Sequence, residues 1–184
     1  MNEQELLKKS TAAQKENNVD LAIQYIDEAI NSYLAKGELG NAFPAYKKKA
    51  SYLLKDGRGN ESWTLYKDLI NKYANDHIFL PQVYFEMSKQ LKQEKKFKDA
   101  LATAIYSEIL RTRSQLIQNH QYQDNTFKID YNWNNDKIFR DLSKKAGIDW
   151  EPIKEALIDM HRDINHKSDF NNIYLKIREV IKNL

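Results

Sequence analysis

The side chains best suited to chemistry stand close together near the carboxyl end of the chain: His161, Arg162, Asp163 and His166. Histidine exchanges protons near neutral pH, and arginine binds phosphate and carboxylate groups through two parallel hydrogen bonds. His161 and His166 are five residues apart, so they diverge on a helix, whereas a spacing of four directs two histidines toward one metal ion. The spacing therefore predicts no zinc site here.

The spacing of Arg162 and His166 resembles the arginine-to-histidine motif of the HEPN ribonucleases, which are all-helical proteins. Three residues separate the pair, fewer than in that motif. The resemblance implies an RNA-cleaving enzyme with Arg162 and His166 as its catalytic residues, and we keep it as an alternative function. The tripeptide His161 to Asp163 also occurs in protein kinases, but the glycine-rich loop, strand lysine and DFG motif of kinases are missing from the sequence.

A second candidate site has oxygen-bearing side chains at the spacing of a calcium-binding EF-hand loop, from Asp130 to Asp141. Asn135 stands where that loop has glycine, and Asp141 is shorter than the usual bidentate glutamate. Asparagine and aspartate also abound in any loop that leads into a capped helix. We therefore expect a helix-starting loop, with no metal and no cofactor.

The composition predicts an all-α protein that positions these residues on helices. Charged residues make up 30% of the 184 positions, whereas there are only 5 glycines and 3 prolines, as expected for long helices with solvated faces. The chain has no cysteine, which excludes disulfides and thiolate metal sites. We find no signal-peptide pattern and no apolar run approaching the roughly 18 residues of a membrane span. We expect a cytoplasmic protein without a membrane partner.

The net charge of +3 comes from basic and acidic residues that are interleaved along the chain. Proteins that bind nucleic acid usually concentrate lysine and arginine in one footprint. The charge pattern therefore disfavours nucleic acid as a partner and leaves a protein or peptide as the favoured one.

Apolar periodicity predicts a series of helices, of which the hairpin from Gln82 to Leu110 has the clearest pattern. Pro44 and Pro81 are expected in first turns, where the missing N–H has no intrahelical partner, and Asn60 is expected as an N-cap. The predicted helices are residues 3–16, 20–36, 44–55, 61–74, 81–92, 98–119 and 136–146, followed by a hairpin whose first helix is capped by Asp149.

Small residues recur at a long period along this series. Ala22, Ser62 and Ala100 are separated by 40 and 38 residues. Sixteen residues before each lies a large residue, followed four residues later by a small one, in the pairs Leu6 and Ser10, Tyr46 and Ala50, and Tyr84 and Ser88. Helices approach closely only where side chains are short, so we expect these small residues at the contacts within each hairpin.

This pattern of large and small residues resembles that of tetratricopeptide repeat proteins over residues 3–118. The period is longer than the usual ~34 residues, and the glycine and proline of the repeat pattern are replaced. The resemblance implies antiparallel hairpins stacked as a short right-handed solenoid, closed by carboxyl-terminal capping helices. It also implies a non-enzymatic adaptor that binds its partner along the first helices of the hairpins.

The predicted binding groove is rich in lysine and favours an acidic peptide or protein segment. It is expected at exposed positions of the first helices, namely Lys8, Lys15, Lys47, Lys48, Ser51, Lys55, Phe85, Lys89 and Lys92. Solvated faces of ordinary amphipathic helices show the same pattern, so the alternative of a lysine-rich surface without a partner stays open.

The predicted organisation has three parts in one continuous body. Residues 1–121 form the three repeat hairpins, residues 122–135 form a loop rich in aromatic residues and asparagine, and residues 136–184 form helices packed on the array. Tyr122, Phe127, Tyr131 and Trp133 in the loop suggest a further alternative, self-association of the chain into a homo-oligomer through this segment.

Overall fold

The computed structural model describes residues 1–121, 136–162 and 169–184, with the backbone alone at 112, 113, 115–121, 136, 159–162 and 170. Within these ranges the chain forms nine α-helices and no strand, which confirms the all-α prediction. Neighbouring helices pack against one another, an arrangement compatible with a helical repeat. The helices are α1 (Glu3–Lys15), α2 (Val19–Ala35), α3 (Leu39–Lys55), α4 (Gly59–Lys72), α5 (Phe79–Gln93), α6 (Phe97–Gln121), α7 (Asp136–Ala146), α8 (Trp150–Arg162) and α9 (Phe170–Asn183).

The chain divides into two compact units, Met1–Lys72 with α1 to α4 and Tyr73–Leu184 with α5 to α9. The boundary between the two units falls inside residues 1–121, which the sequence predicts to form one repeat array. The predicted organisation into residues 1–121, 122–135 and 136–184 is not tested by this division and stays a prediction. None of the helices in the described part of the chain combines the length and apolar character that crossing a bilayer requires.

In the first unit each helix packs on the next one along the chain, from α1 to α4. The predicted small residues lie at these contacts: Ser10, Ala22 and Ser62 are fully buried, and the Ser62 hydroxyl donates a hydrogen bond of 3.3 Å to the Ala50 carbonyl. A larger side chain at Ala50 or Ser62 has no room at such a separation. The prediction that short side chains allow close helix contact is therefore confirmed for α3 and α4.

Two predicted helix starts in this unit are wrong. Gly37, at φ +71°, makes the turn alone, so α3 begins at Leu39 and Pro44 lies in its sixth position instead of its first turn. Proline there removes one hydrogen bond to Gly40, but the early start buries Ala42 and Phe43, which offsets that loss. Helix α4 begins at Gly59, so Asn60 is inside the helix, where its carbonyl accepts the Thr64 hydroxyl.

The second unit is built around α6, which packs against α5, α7 and α9. Every side chain from Ala100 to Leu110 is buried, because neighbours surround the helix on several sides. The hairpin predicted from Gln82 to Leu110 is confirmed as α5 and α6. The Ser107 hydroxyl donates a 2.7 Å hydrogen bond to the Pro81 carbonyl, and the rings of Tyr84 and Tyr106 lie 4.8 Å apart at nearly a right angle.

The carboxyl-terminal helices differ in part from their prediction. Helix α7 has its predicted bounds and ends at Gly147, with φ +72°. Helices α8 and α9 are in contact, as the predicted hairpin requires, but α9 packs mainly against α6. Two polar contacts fix this antiparallel packing, 3.1 Å between the hydroxyls of Tyr174 and Thr103 and 3.2 Å between Arg178 and Asp99.

Candidate functional site

Charge is separated between neighbouring helices of the first unit. Helix α3 has four lysines and no acidic residue, whereas α2 has three acidic residues and no lysine or arginine. Helix α1 has no acidic residue after Glu5 but three lysines. The overall charge of the chain conceals this separation, which leaves the lysines of α3 without an acidic residue on their own helix, whereas Lys8 and Lys9 of α1 follow Glu5 by three and four residues.

Lys48 connects α3 to α1. Its ammonium nitrogen donates hydrogen bonds of 2.6 Å to the Leu7 carbonyl and 2.6 Å to the Thr11 hydroxyl. The Thr11 hydroxyl in turn donates to the Leu7 carbonyl at 2.9 Å. Since both acceptors belong to α1, the Lys48 side chain joins α3 to α1.

The contact between Lys48 and Thr11 identifies one row of side chains on α1 and another on α3. On α1, Lys8 and Lys15 lie one turn to either side of Thr11, and on α3, Ser51 and Lys55 follow Lys48 at intervals of one turn. Each row spans seven residues, or about 10 Å. Short connections make α2 antiparallel to both helices, so α1 and α3 run in the same direction. We call this surface the lysine face, comprising Lys8, Lys15, Lys48, Ser51 and Lys55.

The exposed lysines of this face have no internal counter-ion. Among the described residues, Lys8, Lys15 and Lys55 make no ion pair, and all three are exposed. Lys49, by contrast, is neutralised by Asp27 of α2 at 2.7 and 2.8 Å. The lysine face therefore presents uncompensated positive charge, whereas the neighbouring face of α3 does not.

Lys48 is partly buried, as Lys47 and Lys49 are, and it differs from Lys49 in its partners. Both of its hydrogen-bond acceptors are neutral, and in the described part of the chain no carboxylate pairs with it. Burial without a counter-ion lowers the pKa of Lys48. An ammonium group has three N–H donors, two of which have these acceptors, so a carboxylate from a ligand would supply both a third acceptor and the missing negative charge.

The remaining predicted groove residue of the first unit is Lys47, whose ammonium lies 5.9 Å from the centre of the Phe43 ring. The other three predicted groove residues belong to the second unit. Lys89 pairs with Glu86 at 2.9 Å and lies 4.5 Å from the centre of the Phe85 ring.

Lys92 pairs with Asp141 of α7 at 2.8 Å, and Asp141 also binds Lys145 at 2.9 Å. These hydrogen bonds raise the pKa of Lys92 and lower that of Asp141. The lysines Lys89 and Lys92 thus have carboxylate partners within their own unit, unlike the exposed lysines of the lysine face.

The candidate catalytic and metal residues are only partly described. Arg162 is the last residue of α8, with its backbone alone described, and His166 lies outside the described residues, as do Asp130 to Asn135. Asp141, the last position of the EF-hand spacing, is paired with lysines. Across the residues with described side chains, no group of three histidine, aspartate or glutamate side chains is placed to bind a metal ion.

The sequence does not reveal that Lys48 joins two helices. A signal is nevertheless present: buried Ala45 and Tyr52 flank Lys48 at spacings of three and four residues, which puts it at the edge of the core. Comparison of the chain with protein-family models, with curated proteins and with solved structures found no match.

Proposed function

We propose that the first unit is a non-enzymatic binding module for acidic peptide or protein segments and that the lysine face is its binding surface. The observation that supports this most strongly is the contact geometry of the partly buried Lys48, whose ammonium donates to two neutral acceptors and has no counter-ion among the described residues. A buried charge is stabilised by an opposite charge, so a ligand carboxylate at Lys48 gains more than one at a fully exposed lysine.

The dimensions of the lysine face suit a short acidic segment. An extended chain rises about 3.3 Å per residue and directs alternate side chains to one side. Three acidic residues at alternate positions therefore span about 13 Å, comparable with the ~10 Å rows of α1 and α3. Each exposed pair contributes roughly 0.2–1 kcal/mol. The expected complex is consequently weak, fast to form and sensitive to salt.

We further propose that the scaffold of this surface is a short tetratricopeptide-like right-handed solenoid. The buried small residues Ser10, Ala22, Ala50 and Ser62 occupy the positions expected from the repeat pattern, and α1 and α3 correspond to the first helices of successive hairpins. In such repeats the first helices line the binding groove, which is where the lysine face lies.

Fluorescence anisotropy with a fluorescein-labelled peptide tests the proposal. The probe is Gly-Glu-Ser-Glu-Ser-Glu-Gly with blocked ends, which has alternating carboxylates and no aliphatic side chain. In K8E/K15E/K55E we expect affinity to fall roughly tenfold or more, since three favourable pairs become repulsive. The control K67E/K137E/K176E changes three other exposed lysines and has the same net charge. We expect its affinity to remain within about twofold of wild type, because distant surface charges are screened.

Equal losses in the two variants would show non-specific attraction and reject the lysine face. A single-stranded RNA oligonucleotide of the same charge serves as competitor. The proposal is wrong, and the partner is a nucleic acid, if three results are obtained together. The RNA displaces the peptide, it binds with higher affinity than the peptide, and K8E/K15E/K55E weakens its binding by the same factor.

A further inference from the structure

A groove of about 630 Å³ lies between α6 and α9 in the second unit. Its apolar lining comes from Ala102 and Ile181, both buried, and from Leu175, which is 63% exposed. A leucine with most of its surface in water costs hydrophobic free energy that a bound apolar group would recover. The volume falls within the range of about 300–1,000 Å³ found for ligand sites.

The rim of this groove has more positive than negative charge. Arg178 and Asp99 pair across it at 3.2 Å and neutralise each other. Lys98 and Lys182 also line it, and neither forms an ion pair within the described ranges; Glu179 is the remaining acidic residue. Lys98 and Asp99 belong to the first turn of α6, whose backbone N–H groups contribute further positive potential.

We infer that this groove binds a short acidic peptide segment containing one aliphatic side chain. The aliphatic group contacts Leu175 and Ile181, and carboxylates on either side of it pair with Lys98 and Lys182. The site is separate from the lysine face, which has no exposed aliphatic side chain. A second copy of the chain fits less well, because a groove of this volume encloses only a few residues, whereas a stable interface buries about 800 Å² on each partner.

The experiment uses the full chain with the K8E/K15E/K55E substitutions, so that binding at the lysine face does not contribute. The probe is fluorescein-labelled Asp-Glu-Leu-Glu-Asp with blocked ends, measured by anisotropy at low salt. We expect K98E/K182E to weaken binding roughly fivefold or more. Leu175→Ser should weaken binding by a similar factor through loss of apolar contact, and Glu179→Gln should strengthen it by removing a repulsive carboxylate.

The matched control K137E/K176E replaces two exposed lysines that do not line the groove and is expected to leave affinity within about twofold. All these positions are exposed, and circular dichroism checks that each variant is folded. Binding that is unchanged in K98E/K182E, or equal binding of Asp-Glu-Ser-Glu-Asp, overturns the inference.

Light scattering of the wild-type chain tests the competing occupant. A dimer that Leu175→Ser dissociates would show that a second copy fills the groove and would also overturn the inference. The background variant already lacks the lysine face, so the two proposals are tested separately. Rejection of the groove between α6 and α9 does not affect the proposal for the lysine face, and rejection of the lysine face does not affect the proposal for the groove.

Discussion

Glu3 illustrates how one side chain holds the first helix in place. It is buried, and its carboxylate accepts hydrogen bonds from the Ser32 hydroxyl of α2 and from the ammonium of Lys36, which directly follows α2. These hydrogen bonds lower the pKa of Glu3 from 4.5 to about 2. The hydrogen bond from Lys36 has the largest effect, and that from Ser32 has the second largest. The ionised form of Glu3 is therefore favoured in the folded state.

We predict that Glu3→Gln lowers stability at neutral pH and that its effect disappears in acid. Because the folded-state pKa is the lower one, the contribution of Glu3 is complete above the unfolded value of 4.5 and is lost as pH falls through about 2. Urea unfolding of both proteins between about pH 7 and pH 2 measures this. Glu16→Gln, at an exposed position without such partners, is the control. A difference between Glu3→Gln and wild type that stays constant down to pH 2 would contradict the account.

Lys48 and Lys49 are adjacent in the sequence but have different roles. Lys49 pairs with Asp27, whereas Lys48 donates to neutral groups of α1. Periodicity predicts that both are on a basic helix, but it does not show which of them meets an acidic residue of α2, because that depends on the rotation of α3 against its neighbours. The structure therefore distinguishes these two lysines by their partners.

We expect affinity for the alternating-glutamate probe to depend on the ionisation of Lys48. Its pKa is lowered by burial, so it loses its proton, and with it the attraction for a carboxylate, at lower pH than an exposed lysine. Binding should begin to weaken as the pH rises toward the ordinary lysine value of about 10.4, before the exposed lysines lose their charge. Lys48→Arg stays charged throughout and should weaken less, as measured by anisotropy across that range. Identical pH profiles would exclude Lys48 from the binding surface.

At the scale of elements, the close contact of α3 and α4 depends on small side chains. Ala50 is buried and its carbonyl accepts the Ser62 hydroxyl, whereas the next residue, Ser51, is exposed. The sequence predicts both facts, because the spacing of large and small residues specifies which helical face is packed.

We predict that Ala50→Leu destabilises the protein by about 1–3 kcal/mol, since extra methylene groups have no space between packed helices. Ser51→Ala should change the free energy of unfolding by less than about 0.5 kcal/mol. Urea unfolding followed by circular dichroism measures both substitutions. Equal, small effects would show that the contact is looser than the repeat pattern requires.

Other features of the elements cannot be obtained from local sequence rules. Pro44 suggests a helix start, but the burial of Ala42 and Phe43 extends α3 backward by five residues. The apolar face of α9 is evident in the sequence, but the sequence alone does not show whether this face packs on α8 or on α6. The choice depends on contacts between residues far apart in the chain, such as Tyr174 with Thr103.

At the scale of the whole molecule, the arrangement of charge matters more than its total. The net charge is only +3, and the interleaving of basic and acidic residues along the chain disfavours nucleic acid as a partner. Segregation of acidic residues on α2 and lysines on α1 and α3 produces a stronger local potential than the net charge suggests.

Binding of the alternating-glutamate probe should therefore weaken with ionic strength. Raising NaCl from about 0.05 to 0.5 M shortens the Debye length to well below the ~10 Å rows of the lysine face, and we expect roughly a tenfold loss of affinity. K8E/K15E/K55E should not show this loss, because its introduced glutamates repel the probe and salt screens that repulsion. A titration series by anisotropy tests this, and an affinity that is insensitive to salt in the wild-type chain would rule out an electrostatic lysine face.

The most direct test of the central claim is an NMR titration of the ¹⁵N-labelled chain with the unlabelled alternating-glutamate probe. We expect saturable shifts of backbone amides concentrated in residues 8–15 of α1 and 47–55 of α3, with small changes in α2 and α4. Shifts that are absent from α1 and α3, or that are larger on another surface, would contradict the assignment of the lysine face as the binding site.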